Sequence, residues 1–202
     1  NARIWAHAEP AWREYRSVRD YVEILRAEGF EVEEGSGGMP TAFAARWTQG
    51  EGQGEGGPVL AGFSEYDAVP GNSQQAVPYP APREGLHPYA AGHTDPHSVL
   101  GTASLAAMLA AKSAMQAQGT PGTLKLFGEP AEKVCGSKPF HAARGYYDGL
   151  DAAVVWHPWP LNTVTGETHF GAYWSAVISF ESEAPERWVD PALMPIDAAH
   201  AV

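Results

Sequence analysis

The chain has 202 residues, of which 44% are apolar and 11% aromatic, and a formal charge of −11. That apolar content supports one substantial core and excludes a disordered chain. The negative balance argues against nucleic acid or an anionic membrane surface as partner, so an anionic substrate would have to be received by a local cluster of the few positive groups. No uninterrupted apolar run approaches the ~20 residues of a membrane span, and the first residues lack the apolar stretch of a signal peptide. The single cysteine, Cys135, has no partner for an internal disulfide. A cytoplasmic location is therefore expected.

Along the chain, Tyr15, Val18, Val22 and Leu25 fall on one face of a helix expected over 11–28, and Gly29 is placed to end it. Phe30-Glu31-Val32-Glu33 alternates as a strand does and stops at Gly35-Ser36-Gly37-Gly38. A second strand over 41–47 leads into the glycine-rich stretch 49–57, expected as a solvated hairpin loop. Residues 58–63 are apolar and bounded by breakers, which predicts a buried strand. The stretch 70–92 is proline-rich, without period, and too long for an ordinary connection; such loops are often functional. A helix rich in Ala, Leu and Met follows over 98–118, then a strand over 123–127, a helix over 139–147 and another buried strand over 152–156. From about Phe170 a new alternation (Tyr173, Ser175, Val177, Ser179) opens a further unit.

Strands alternating with helices predict an α/β fold: a doubly wound, mostly parallel sheet flanked by helices. Ligands of such sheets bind beyond the carboxyl ends of the strands. The polar clusters at 64–67, 128–133 and 157 each follow an expected buried strand directly, which joins them into one candidate site.

His93-Thr94-Asp95-Pro96-His97 places two imidazoles and a carboxylate within five residues. That donor mix suits Zn, Mn, Fe or Co. A single histidine here would be ordinary in a polar loop before a helix; the three together, with His157 after another strand, favour a metal. Asp95 and His97 are the preferred ligands, and His93 could orient one of them. Glu132 could act as general base, taking the proton of a water whose pKa a metal has lowered. Glu129 is equally close in sequence, and spacing does not rank the two. Asp67, in Glu65-Tyr66-Asp67, could hold a ligating imidazole by its far nitrogen. Arg83, Lys138 and Arg144 are candidates for a substrate carboxylate.

In this order the clusters resemble the zinc aminoacylase and carboxypeptidase G-type metallopeptidase family, and most closely its amidohydrolase branch, which includes aminobenzoyl-glutamate hydrolases. His7-Ala8-Glu9-Pro10 with Trp12-Arg13-Glu14 is similar to the family's opening His-x-Pro-Glu helix, and Glu65–Gly71 to its Asp-Ala-Leu-Pro-Gly segment. Gly92–Thr102 sits where the branch has Gly-His-x-Cys-Gly-His followed by Leu-Gly-Thr, residues 128–133 where it has Pro-x-Glu-Glu, and Asp151–His157 where a strand ends in a ligand His. The resemblance implies Asp95 at the bridging-ligand position, His97 and His157 as metal ligands, Glu132 as general base and Asp67 as its supporting acid. Glu65, His93, Glu129 and Lys133 fall around them, in reach of the ligands or the substrate. It also implies a catalytic domain over 1–169 and the beginning of a smaller α+β lid over 170–202, through which the family forms homo-oligomers.

Two departures from the pattern carry weight. Lys133 stands where the family has a second Glu; an ammonium only donates and would repel a second cation. One divalent transition metal (Mn, Zn, Co or Fe) is therefore expected. Pro185-Glu186-Arg187 stands where the lid has Ala-His-Ala, so its transition-state-stabilising His is expected to be missing. The expected function is hydrolysis of a carbon–nitrogen bond in a small aromatic carboxylate. Candidates are an aminobenzoyl-glutamate, or a substituted aminobenzoate of the 5-nitroanthranilate kind that would release ammonia. The alternative is a family-derived protein that binds a metal or small molecule without turnover.

Overall fold

The computed structural model describes residues 1–50, 57–134, 136–164 and 166. Cys135, most of the glycine-rich loop, and the alternating stretch from Phe170 with its Pro185-Glu186-Arg187 lie outside the described residues, as does the expected boundary at 169. Among the described residues the order is α1 (Ala2–His7), α2 (Tyr15–Ala27), β1 (Glu31–Glu34), β2 (Phe43–Gln49), β3 (Val59–Ser64), α3 (His97–Gln118), β4 (Gly122–Gly128), α4 (Ser137–Ala143) and β5 (Ala152–Ala153). Two single 3₁₀ turns, Ser36–Gly38 and Glu132–Val134, complete it.

α2 begins where the Glu9 carboxylate accepts the backbone N–H groups of Arg16 and Ser17 at 2.9–3.1 Å, taking up donors that a helix start leaves unpaired. It ends at Gly29, whose φ of 80° lets Phe30 donate back to the Leu25 carbonyl at 2.9 Å. Val18, Tyr21, Val22 and Leu25 are buried, whereas Tyr15, expected on the same face, is exposed.

The sheet runs β1-β2-β4-β3-β5 and is mixed: β1·β2 and β2·β4 are antiparallel, β4·β3 and β3·β5 parallel. Half of its pairings thus differ from a mostly parallel sheet, and the connections explain which. β1 and β2 are joined by a short glycine turn that can only reverse the chain, whereas β3 reaches β4 through α3, and a helical crossover makes parallel neighbours. α2 and α3 cover one face, where Val18, Tyr21, Val22, Leu25, Leu105 and Met108 pack with Phe43, Leu124 and Leu126. By length and composition α3 could cross a membrane, which a search for uninterrupted apolar runs passes over. In this fold it packs against β3 and β4.

β5 departs from expectation most. The buried strand predicted over 152–156 is two residues long, paired with β3 at Ala152 and Ala153, and exposed. It lies at the sheet's edge with a neighbour on one side only, and Val154, Val155 and Trp156 beyond it are exposed as well.

Three segments converge at one end of the sheet. Ser64 and Gly128 are in register as the last residues of the parallel β3 and β4. Glu65-Tyr66-Asp67 and Glu129-Pro130-Ala131-Glu132 therefore leave the sheet side by side. α3 starts at the same end, because a crossover helix must begin where the preceding strand finishes. Gly101 lets it approach: a Cβ there would collide with the Glu65 carbonyl oxygen and the Tyr21 hydroxyl.

Candidate metal centre

His97 opens α3 and is fully buried at the meeting point of these segments. Its Nδ1 lies 2.7 Å from Asp67 Oδ1, which fixes the ring and directs Nε2 the other way. Around Nε2 stand Glu65 Oε2 at 3.2 Å, Glu132 Oε2 at 3.3 Å and Asp95 Oδ1 at 3.4 Å. Glu65, His97 and Glu132 present donor atoms close enough together to hold one metal ion. Asp95 borders this group, with Oδ2 at 2.9 Å from the Lys133 ammonium, which is also 3.2 Å from Glu132. Lys138 donates to Glu65 on the far side.

The turn carrying Glu132 and Lys133 is pinned from below. Asp67 Oδ2 accepts the Lys133 backbone N–H at 3.0 Å, so one carboxylate orients both His97 and the turn. The buried Glu14 carboxylate accepts the Ala131 N–H and the Thr41 hydroxyl, both at 2.9 Å, and Ala131 takes a left-handed φ of 58°. Glu14, far away in sequence, had no local signal to mark it.

The electrostatics follow from the crowding of carboxylates. Burial works against a charged His97, but its hydrogen bonds to Asp67, Glu132 and Glu65 outweigh burial and push the imidazole up to about 11. The same contact with His97, aided by Lys133, holds the Glu132 carboxyl down at about 2 against the effect of burial. Burial would raise Glu65, yet His97 and Lys138 keep it below the ordinary carboxylate range. Burial likewise opposes the charge on Lys133, and Asp95 and Glu132 override it and raise its pKa.

A divalent cation fits this donor set. Four carboxylates (Glu65, Asp67, Asp95 and Glu132) face two ammonium groups and an imidazole that they hold protonated; an ion taking the place of the Nε2 proton would leave His97 neutral and meet two unbalanced negative charges. Asp95 Oδ1 is buried without a hydrogen-bond partner among the described residues, as a ligand atom awaiting a cation would be.

Glu129 is the rival that the structure separates from Glu132. It is fully buried and committed elsewhere: His141 Nδ1 lies 2.7 Å and the Tyr147 hydroxyl 2.5 Å from its Oε1, and His141 Nε2 contacts the Ser36 hydroxyl at 2.8 Å. Its Oε2 has no hydrogen-bond partner among the described residues, and it is not one of the carboxylates around His97 Nε2. His93 does not orient a ligand through a hydrogen bond: it is buried, neither ring nitrogen has a partner among the described residues, and burial, aided by the nearby His97, pushes it down to about 4. His157, expected as a ligand, is exposed, with Nδ1 3.1 Å from the Pro158 carbonyl, and stands outside the cluster. The two-residue β5 releases the chain before His157 and gives it no support. Among the cations proposed for a substrate carboxylate, Lys138 is paired with Glu65, Arg83 is bonded to the Trp5 and Ala6 carbonyls, and Arg144 lies over the Phe140 ring.

Comparisons with known proteins agree with this geometry. The chain is 37% identical over 156 residues to one of the subunits of p-aminobenzoyl-glutamate hydrolase from Escherichia coli (strain K12), covering 77% of this chain and 31% of that protein. It thus spans about a third of the length of that curated relative. A dinuclear metal-binding peptidase of the M20 family from Bacillus subtilis superposes with a TM-score of 0.54 at 20% identity, over 72% of this chain and 37% of that one. The aminobenzoyl-glutamate utilization protein of Klebsiella pneumoniae gives 0.53 at 20% identity, over 75% and 40%. At such identity these structures speak for the fold. Residues 63–199, more than half of the chain, match the peptidase family M20/M25/M40. On that match, and on a sheet end that gathers Glu65, Asp67, His97 and Glu132, the chain belongs to the M20/M25/M40 peptidase family.

Proposed function

We propose that the protein is a metal-dependent hydrolase of a carbon–nitrogen bond, holding one divalent ion through Glu65, His97 and Asp95 with Glu132 beside it as general base. The substrate class that fits best is a small aromatic carboxylate joined through an amide, as in aminobenzoyl-glutamate. The kinship with a p-aminobenzoyl-glutamate hydrolase supports that choice. The observation that carries the single-ion reading is the charge balance: with an ion in place of the His97 Nε2 proton, two unbalanced negative charges match one divalent ion, and Lys133 Nζ at 2.9 Å from Asp95 supplies positive charge where a second ion would need it removed.

Bound there, a divalent ion would supply Lewis acidity toward the scissile carbonyl and toward water. The chain's own residues do the rest. Asp67 holds His97 in one tautomer and fixes the turn below Glu132. Glu132, held ionised by His97 and Lys133, accepts a proton from the attacking water and returns it to the leaving nitrogen. Lys133 places a fixed positive charge beside Asp95 and Glu132, where it would offset negative charge developing on a substrate bound there. A substituted aminobenzoate losing ammonia would use the same base. Assembly into an oligomer and a cytoplasmic location belong to the same proposal, the former supported by the relative being one subunit of a larger enzyme by its name.

Glu132→Gln in the full-length protein tests this. Turnover of aminobenzoyl-glutamate is expected to fall by roughly 10²-fold or more while bound metal, read by elemental analysis, is retained. Near-normal turnover would remove Glu132 as the base.

A further inference from the structure

Lys138 is tied to the metal centre in a way that the proposed hydrolysis does not use. It is the second residue of α4. A cation in a helix's first turn meets the positive end of the helix dipole, so α4 itself gives no reason for a lysine there. The reason lies at the sheet end. The Lys138 ammonium donates to Glu65 Oε1 and lies 4.6 Å from the centre of the Phe63 ring, two residues before Glu65 in β3. A charge-assisted bond and a cation–π contact thus hold one ammonium from two sides. The Glu65 side chain is almost wholly buried, whereas that of Lys138 keeps 35% of its surface exposed.

That bond leaves Glu65 with one oxygen to offer. Its Oε2 is 3.2 Å from His97 Nε2, while Oε1 is taken. Asp95 is held in the same manner. Lys133 takes its Oδ2 at 2.9 Å, and Oδ1, without a hydrogen-bond partner among the described residues, is 3.4 Å from His97 Nε2. Each carboxylate turns a single oxygen to the imidazole and gives the other to an ammonium. With His97 Nε2 this makes a set of one nitrogen and two oxygens. Zinc is commonly satisfied by a tetrahedral set, which these donors and a water complete. Calcium takes about six to eight oxygens and often grips a carboxylate by both.

We infer that Lys138 is a specificity-determining residue of the metal centre: by holding Glu65 Oε1 it confines Glu65 to one ligating oxygen, as Lys133 confines Asp95, and so selects a small ion of low coordination number against calcium. This role rests on the proposed metal centre but not on turnover.

Competition with a chelator gives the dissociation constants of zinc and of calcium for the full-length protein and for Lys138→Met, which keeps the apolar stem over Phe63 and loses the donor and the charge. Two effects then separate. Loss of a positive charge beside the centre would strengthen both divalent ions alike and leave their ratio unchanged. Loss of the bond to Oε1 frees a second oxygen that calcium uses and zinc does not, so the preference for zinc over calcium is expected to fall by about tenfold or more. In a Glu65→Gln background, where the side chain has a single oxygen, Lys138→Met is expected to leave the ratio where it was. A parent that binds calcium as tightly as zinc, a ratio unmoved by Lys138→Met, or a fall that persists beside Glu65→Gln overturns the assignment. A parent that binds neither ion overturns the metal centre with it. Hydrolysis fails separately: a zinc preference lost in Lys138→Met of a protein that cleaves no amide supports Lys138 and sinks the hydrolase, whereas turnover of aminobenzoyl-glutamate with an unmoved ratio sinks the role of Lys138 alone.

Discussion

At the scale of single residues, the candidate site is a problem of compensating charge. Asp67 is the residue through which most of it is arranged, since one carboxylate serves both His97 Nδ1 and the Lys133 backbone N–H. Replacing Asp67 by Asn keeps the volume but weakens both contacts. Metal affinity, read by competition with a chelator, is expected to fall about 10–100-fold. In the proposed single-ion centre, Lys133 is the residue that excludes a second ion. Lys133→Glu turns a positive group into a carboxylate beside Asp95 and Glu132, and elemental analysis of the full-length variant is expected to find about two ions per chain against one in the parent. Two tightly held ions in the parent itself would contradict the charge argument. Glu129 shows the converse case: a carboxylate equally near in sequence, but with Oε1 held by His141 and Tyr147 and only Oε2 left without a partner among the described residues.

Among the elements, helix starts and crossovers place these residues. Glu9 anchors α2, and although burial opposes its charge, the N–H groups of Ser17 and Arg16 hold its pKa below 4.5. A carboxyl lowered on folding stabilises the fold above the unfolded value and loses that contribution as pH falls through the folded one. Glu9→Gln is therefore expected to lower stability by ~1–2 kcal/mol near neutral pH, with the gap closing as pH falls below the ordinary carboxylate range in thermal melts of parent and variant. A gap independent of pH would mean that the carboxylate's charge contributes nothing. The β3–α3–β4 crossover does for the metal centre what Glu9 does for α2. Its parallel strands end in register, so residues 60 or more positions apart in sequence leave the sheet as neighbours.

For the molecule as a whole, a cluster of four carboxylates against two ammonium groups and one imidazolium keeps a negative excess that a cation would neutralise. Removing the metal from the full-length protein with a chelator is expected to lower its melting temperature, and restoring the ion to reverse the loss. At 100 times the dissociation constant, an ion bound only by the folded state adds about 2.7 kcal/mol. An unchanged melting temperature would mean that the cluster is balanced without it. The sheet's edge shows where support gives out: past Ala153 the chain leaves β3, and Val154, Val155, Trp156 and Trp159 stand exposed.

Much was readable from the chain alone, because it depends on local pattern. Apolar periodicity marked α2, a run rich in Ala, Leu and Met marked α3, breakers marked β3, and the runs Glu65-Tyr66-Asp67, His93–His97 and Glu129–Lys133 pointed to one site after parallel strands. Tertiary structure alone decided what depends on contacts distant in sequence. It set the antiparallel half of the sheet, because strand direction follows connection length. It brought Glu132 and not Glu129 beside His97, because His141, itself held by Ser36, and Tyr147 take Glu129 Oε1 from segments that no spacing links to it. It brought Glu65 to the donor group and left His93 unpartnered among the described residues and His157 exposed. The types of side chain announce metal chemistry, but which of them meet is a matter of how strands end and helices begin.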